Sequence, residues 1–183
     1  MKSEADFIAD ADLKFESKEF AGAIKDYTKA LKLNPQNADT YYNRGLANFF
    51  SQNISAAHED FTETLNLNPN HEDALFNRAR LAAMLGSFEK SLEDYNRAVE
   101  LNDEDAELYT NRGAVRMQLN DLTGAVQDFT RAVSVNPSDG KAYYNRAMAY
   151  LKVQKIDYAA RDFALAYQNG VMQAKEALMS LQN

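Results

Sequence analysis

The chain has 183 residues, enough to bury a sizeable core, with a formal net charge of −7 and a pI near 4.9. That acidity argues against a nucleic-acid backbone or an anionic membrane surface as the main ligand. The sequence contains no cysteine, which excludes disulfides, thiolate metal sites and thiol nucleophiles.

The opening, MKSEADFIAD, carries no apolar signal-peptide core, and no apolar run is long enough to span a bilayer. The expectation is a soluble cytoplasmic protein, with a mature secreted form of a longer precursor as the alternative. Ser3 followed by Asp6 predicts a capping box at the start of the first helix. From there the chain repeats. Pro35, Pro69 and Pro137 stand on a ladder with a rung every 34 residues, and Asp103 occupies the missing rung. Each rung follows an asparagine: Asn34, Asn68, Asn102, Asn136. A fixed period of this length signals a stack of identical supersecondary units. Five repeats follow, 4–37, 38–71, 72–105, 106–139 and 140–170, within a single domain over 1–183. Each holds two apolar patterns at helical spacing around a short polar turn, at 38–51 and 54–67 in the second repeat. Alternation with period two is missing, so strands are not expected. Proline just past the second helix ends it, because it disfavours helix in the residue before it. The fifth repeat lacks that proline and runs into Asn169-Gly170, a helix stop.

The columns of the repeat are informative. The fourth position reads Phe7, Tyr41, Leu75, Tyr109, Tyr143; the eighth reads Ala11, Gly45, Ala79, Gly113, Ala147. The twentieth reads Ala23, Ala57, Ser91, Ala125, Ala159, and the twenty-fourth Tyr27, Phe61, Tyr95, Phe129, Phe163. Small residues at the eighth and twentieth let two helix backbones approach, and the rings fill the space on either side. These columns resemble the tetratricopeptide repeat, whose pattern sets an aromatic, Leu-Gly, Tyr, Ala, Phe, Ala and Pro at fixed offsets. The resemblance covers 4 to about 170. The departures are the missing tryptophan, Asp10-Ala11 where Leu-Gly is usual, and arginine in the leucine slot of repeats two to five. It implies an all-α fold: a right-handed α-solenoid of five antiparallel helix-pair repeats plus a C-terminal capping helix over 171–181. The first helix of each pair would line a concave groove. In the tail, Val171, Ala174, Leu178 and Leu181 share one face, suited to covering the last repeat, while Met172 and Met179 lie outside it.

The arginines Arg44, Arg78, Arg112 and Arg146 hold the seventh position; Asp26, Asp60, Asp94, Asp128 and Asp162 hold the twenty-third. The first repeat has no arginine and no predecessor. That asymmetry favours pairing each arginine with the aspartate of the repeat before it, as in Asp26–Arg44 and Asp128–Arg146. Pairing within a repeat is the rival. Either way the column is structural.

The resemblance places the sixth position in the groove, where Asn43, Asn77, Asn111 and Asn145 would form a row of carboxamides. Each offers a donor and an acceptor, matching an extended peptide backbone; bridging neighbouring helices is the plainer role. Other groove positions implied by the family supply Tyr42, Phe76, Thr110 and Tyr144 at the fifth, Leu46, Arg80 and Met148 at the ninth, and Phe49 and Leu151 at the twelfth. Tyr42, Phe76 and Tyr144 are expected as exposed anchors, Phe49 and Leu151 as core. Such a lining suits an extended segment or an amphipathic helix. The carboxylate clamp of chaperone-binding members does not fit Ile8, Asp12, Asp73 and Asn77. Arg80, Asn111, Lys141 and Asn145 form only an altered fragment of it.

The two histidines, His58 and His71, form no metal-spaced cluster, and no glycine-rich phosphate loop is present. Asp103-Glu104-Asp105 reads as helix capping. No enzymatic activity and no cofactor are expected. The expected function is an adaptor that holds a segment of another protein, without nucleic acid or membrane insertion. The alternatives are a self-associating, homo-oligomeric stack and the binding part of a larger assembly.

Overall fold

The structure, a computed structural model, describes residues 2–181; Met1, Gln182 and Asn183, the ends of the expected domain, lie outside it. Among the described residues there are eleven α-helices and no strand. They are α1 (Glu4–Glu16), α2 (Phe20–Leu33), α3 (Ala38–Phe50), α4 (Ile54–Leu67), α5 (Glu72–Met84), α6 (Phe88–Leu101), α7 (Ala106–Gln118), α8 (Leu122–Val135), α9 (Gly140–Lys152), α10 (Ile156–Gln168) and α11 (Gln173–Ser180). The fold is an all-α solenoid of helix pairs, as the repeat predicts. Its contacts group into two compact units, Met1–Leu81 and Ala82–Asn183.

In the first unit α1 pairs with α2, α2 packs on α3, and α3 pairs with α4. Ala11, Ala23, Tyr27 and Ala47 form one buried cluster, and Ala57, Phe61 and Leu81 another. The second unit repeats the scheme from α6 to α10, with α7 also touching α9. Its last cluster, Ala147, Ala159, Phe163, Ala166 and Ala174, is covered by Val171, Leu178 and Leu181. The tail helix therefore caps the last repeat with the face the sequence assigns to it, leaving Met172 and Met179 exposed.

The columns pack as their sizes require. Tyr27, Phe61, Tyr95, Phe129 and Phe163 are all buried, and each such ring contributes roughly 1.5–3 kcal/mol. At Gly45 and Gly113 an added Cβ would stand 2.8 and 2.7 Å from a ring carbon of Phe61 and Phe129.

Caps fix the helix ends. Ser3 and Asp6 form the predicted capping box. Asn37, Asp105 and Asp139 cap α3, α7 and α9, each accepting a backbone N–H from the first turn. The asparagine rungs explain why proline is dispensable. Asn34, Asn68, Asn102 and Asn136 follow the second helices as C-caps. Each side-chain oxygen accepts the backbone N–H two residues on, at 3.1 to 3.2 Å. The residue between donates nothing to this turn, so proline and Asp103 both fit.

The arginine column corrects the favoured pairing. Arg44 binds Asp60 through Nε and Nη2 at 3.1 and 2.6 Å, Arg112 binds Asp128 at 3.0 and 2.7 Å, and Arg146 binds Asp162 at 2.6 and 2.8 Å. These pairs lie within a repeat, not between repeats. The remaining Nη1 reaches back to the previous repeat, to Thr28, Asn96 and Thr130, each at 3.2 Å. Helix geometry gives the reason: the threonine or asparagine lies two residues past the aspartate, on nearly the opposite face. The previous helix turns that face, not its aspartate, to the arginine. In the first repeat Asp26 takes Lys14 and Lys29 instead, which hold its carboxyl below the ordinary range.

Candidate functional site

The first helices of the repeats carry the expected site residues, and the structure sorts them by what they already touch. In the first unit, Tyr42 is half-buried and packs with Leu46 and Phe49 on the cluster of Ala57, Phe61 and Leu81. Its ring lies 4.6 Å from that of His71 and 5.9 Å from that of Phe61. Burial, then the nearby Asp73, push its hydroxyl up to about 12, against Arg80 and the Asn77 hydrogen bond. Tyr42 is thus part of the core wall, not the free anchor the sequence suggests. Phe49, expected as core, is likewise only half-buried.

The four asparagines are not equivalent. Asn77 is buried; its amide donates to Tyr42 Oη at 3.1 Å and to the Asp73 carbonyl at 2.8 Å. It bridges neighbouring first helices, so its N–H groups are spent inside the protein. Asn43, Asn111 and Asn145 are half-buried, and among the described residues their carboxamides make no hydrogen bond. These three present the unspent donor and acceptor pairs.

Arg80 has a distinct setting. Its guanidinium lies over the ring of Phe49 at 4.9 Å and that of Phe76 at 5.7 Å. Its Nε is buried without a hydrogen-bond partner. Phe76 is half-buried beneath it.

In the second unit, Tyr144 and Met148 pack half-buried against the last cluster, Tyr144 with its ring 5.5 Å from that of Phe163. Leu151 joins the same cluster. Lys141 is exposed. Thr110 departs from its expected place: it is buried, bonding the Ala106 carbonyl at 3.0 Å and Asp139 at 3.1 Å. A β-branched hydroxyl there closes back on its own helix, a signal the repeat alignment alone does not weigh.

Sequence reasoning missed a cavity of about 330 Å³ in the second unit, lined by Leu122, Val126, Tyr150, Val153 and Lys155 among others. It lies at the helix-turn edge, outside the sixth- and ninth-position columns. Among the described residues no group of His, Asp and Glu gathers to hold a metal ion, and no helix is long and apolar enough to cross a membrane.

With this geometry in view, comparison with known proteins is direct. A family model described as TPR repeat matches residues 11–50 and 83–120, and one described as tetratricopeptide repeat matches 110–177. A sequence comparison with curated proteins finds no match. Among solved structures, the MamA protein superposes with a TM-score of 0.86 at 23% identity, covering 94% of each chain. YrrB, described as a TPR protein with an unusual peptide-binding site, gives 0.85 at 24%, covering 94% of this chain and 90% of that one. A tetratricopeptide repeat protein from Parabacteroides merdae gives 0.87 at 24%, covering 97% and 72%.

Proposed function

The chain belongs to the tetratricopeptide repeat family, a family of protein-interaction scaffolds that are generally non-catalytic, and we propose that it works as an adaptor that holds a peptide segment of a partner protein on the first helices of its repeats. The proposal takes the five repeats as one domain. The observation that carries it is the contrast among the asparagines. Asn77 is consumed internally, whereas Asn43, Asn111 and Asn145 keep free carboxamides beside half-buried apolar side chains. An extended backbone offers the complementary donors and acceptors, and the flanking Leu46, Tyr144 and Met148 offer apolar contact. The unusual peptide-binding site of YrrB, a protein of similar fold, supports the same reading. A cytoplasmic setting belongs to the proposal on composition alone.

The test is capture from the native cell lysate by wild type and by an Asn43→Ala/Asn111→Ala/Asn145→Ala variant. Among the described residues none of the three carboxamides makes a hydrogen bond, so circular dichroism should be unchanged. A protein retained by wild type and lost by the variant supports the proposal. Equal capture overturns it and moves attention to the cavity near Val126 and to Met172 and Met179, the exposed residues on which self-association would rest.

A further inference from the structure

Arg80 is a charged group that the fold leaves incomplete. On the first helices, Arg44, Arg112, Arg116 and Arg146 each meet an aspartate. Arg80 meets none; among the described residues it makes neither an ion pair nor a hydrogen bond. Its Nε is buried, so water does not replace the missing partner there. A buried donor left unpaired is unfavourable, and more so on a charged group. What holds the side chain in place is the pair of rings, Phe49 and Phe76, which also blunt its desolvation. The guanidinium is therefore placed, half-buried and unsatisfied.

We infer that Arg80 is the specificity-determining residue of the first unit's binding surface, accepting an aspartate or glutamate side chain within an extended partner segment. The inference rests on the peptide-adaptor reading and names its ligand chemistry. A carboxylate matches a guanidinium in charge and in fork geometry, and supplies acceptors to the terminal N–H groups of Arg80, the buried Nε being out of a ligand's reach. The side-chain source is favoured over a chain terminus. An extended segment presents a side-chain carboxylate wherever it crosses Arg80, whereas a terminal carboxylate requires the chain to end there. The residues flanking the acidic one would be apolar, to pack on Leu46 and on the exposed part of Phe49. The chain's net charge of −7 disfavours acidic segments in general, so a local cation is needed to admit one.

The test uses blocked peptide libraries, acetylated and amidated, nine residues long and degenerate except for a central glutamate or a central glutamine. Binding to the full chain is compared for wild type and Arg80→Gln. Wild type should prefer the glutamate library by roughly tenfold or more, the range expected for one charge-assisted hydrogen bond, and Arg80→Gln should bind both alike. A third library, with central glutamine and a free C-terminal carboxylate, separates the sources; an Arg80-dependent gain there without one for glutamate overturns the side-chain assignment. Equal binding of the glutamate and glutamine libraries to wild type overturns the inference while leaving the adaptor reading intact. Binding of no library overturns both. The glutamate-against-glutamine comparison on wild type does not depend on how the variant folds.

Discussion

Replacing Arg146 by leucine isolates the contribution of the arginine–aspartate column. Asp162 is 4% exposed and takes its two hydrogen bonds from Arg146, at 2.6 and 2.8 Å. Removing the arginine strands a buried carboxylate, a loss of about 3–5 kcal/mol in comparable pairs. Arg112→Leu is the internal control. Asp128 is equally buried, but Arg116 Nη1 stands 3.0 Å from it and remains after the substitution. Its loss should be smaller, about 1–3 kcal/mol. Urea unfolding of the two variants measures the difference. In a double-mutant cycle, Arg146 should couple to Asp162 and only weakly to Asp128. Equal, sub-kilocalorie losses in both variants, or stronger coupling of Arg146 to Asp128, would refute the within-repeat pairing.

Two further outcomes follow from packing and charge. Gly113→Leu should lower stability by about 1–3 kcal/mol, because a Cβ there already meets the Phe129 ring at 2.7 Å; an unchanged thermal midpoint would contradict that register. Asp26 has a carboxyl held low by hydrogen bonds from Lys14 and Lys29, so it stabilises the native state above its ordinary value of 3.8. That stability should be lost as pH falls through the depressed value. Asp26→Asn should therefore be less stable than wild type at neutral pH and lose less on acidification; parallel acid titrations of stability would count against it.

Much of the fold was legible because the repeat reports five times on each position. A small residue and a ring recur at the same offset in every repeat, and at Gly45 and Gly113 the small residue faces the ring of Phe61 and Phe129. The helix ends were legible for the same reason: the asparagine rung closes its turn with its own side chain. The turns inside the pairs were not. Lys18, Gln52, Asn120 and Gln154 adopt φ near +60°, where only the third repeat places a glycine, Gly86. Backbone hydrogen bonds at the end of each first helix impose this conformation whatever the side chain, so sequence carries little trace of it. The arginine pairing was misjudged because the first repeat's missing arginine signals a missing neighbour without saying which group on that neighbour is touched. It is Thr28, not Asp26. At the site, the asparagine column looked uniform. Whether a carboxamide is spent depends on the opposite side chain: Tyr42 consumes that of Asn77, and the other three meet no such partner.

The most direct test of peptide holding on the first helices is nuclear magnetic resonance of the side-chain amides during titration with the blocked glutamate library. Shifts at Asn43, Asn111 and Asn145, with Asn77 little changed, are the predicted result. Shifts confined to residues around the cavity at Val126 and Val153, with those three amides silent, would contradict it.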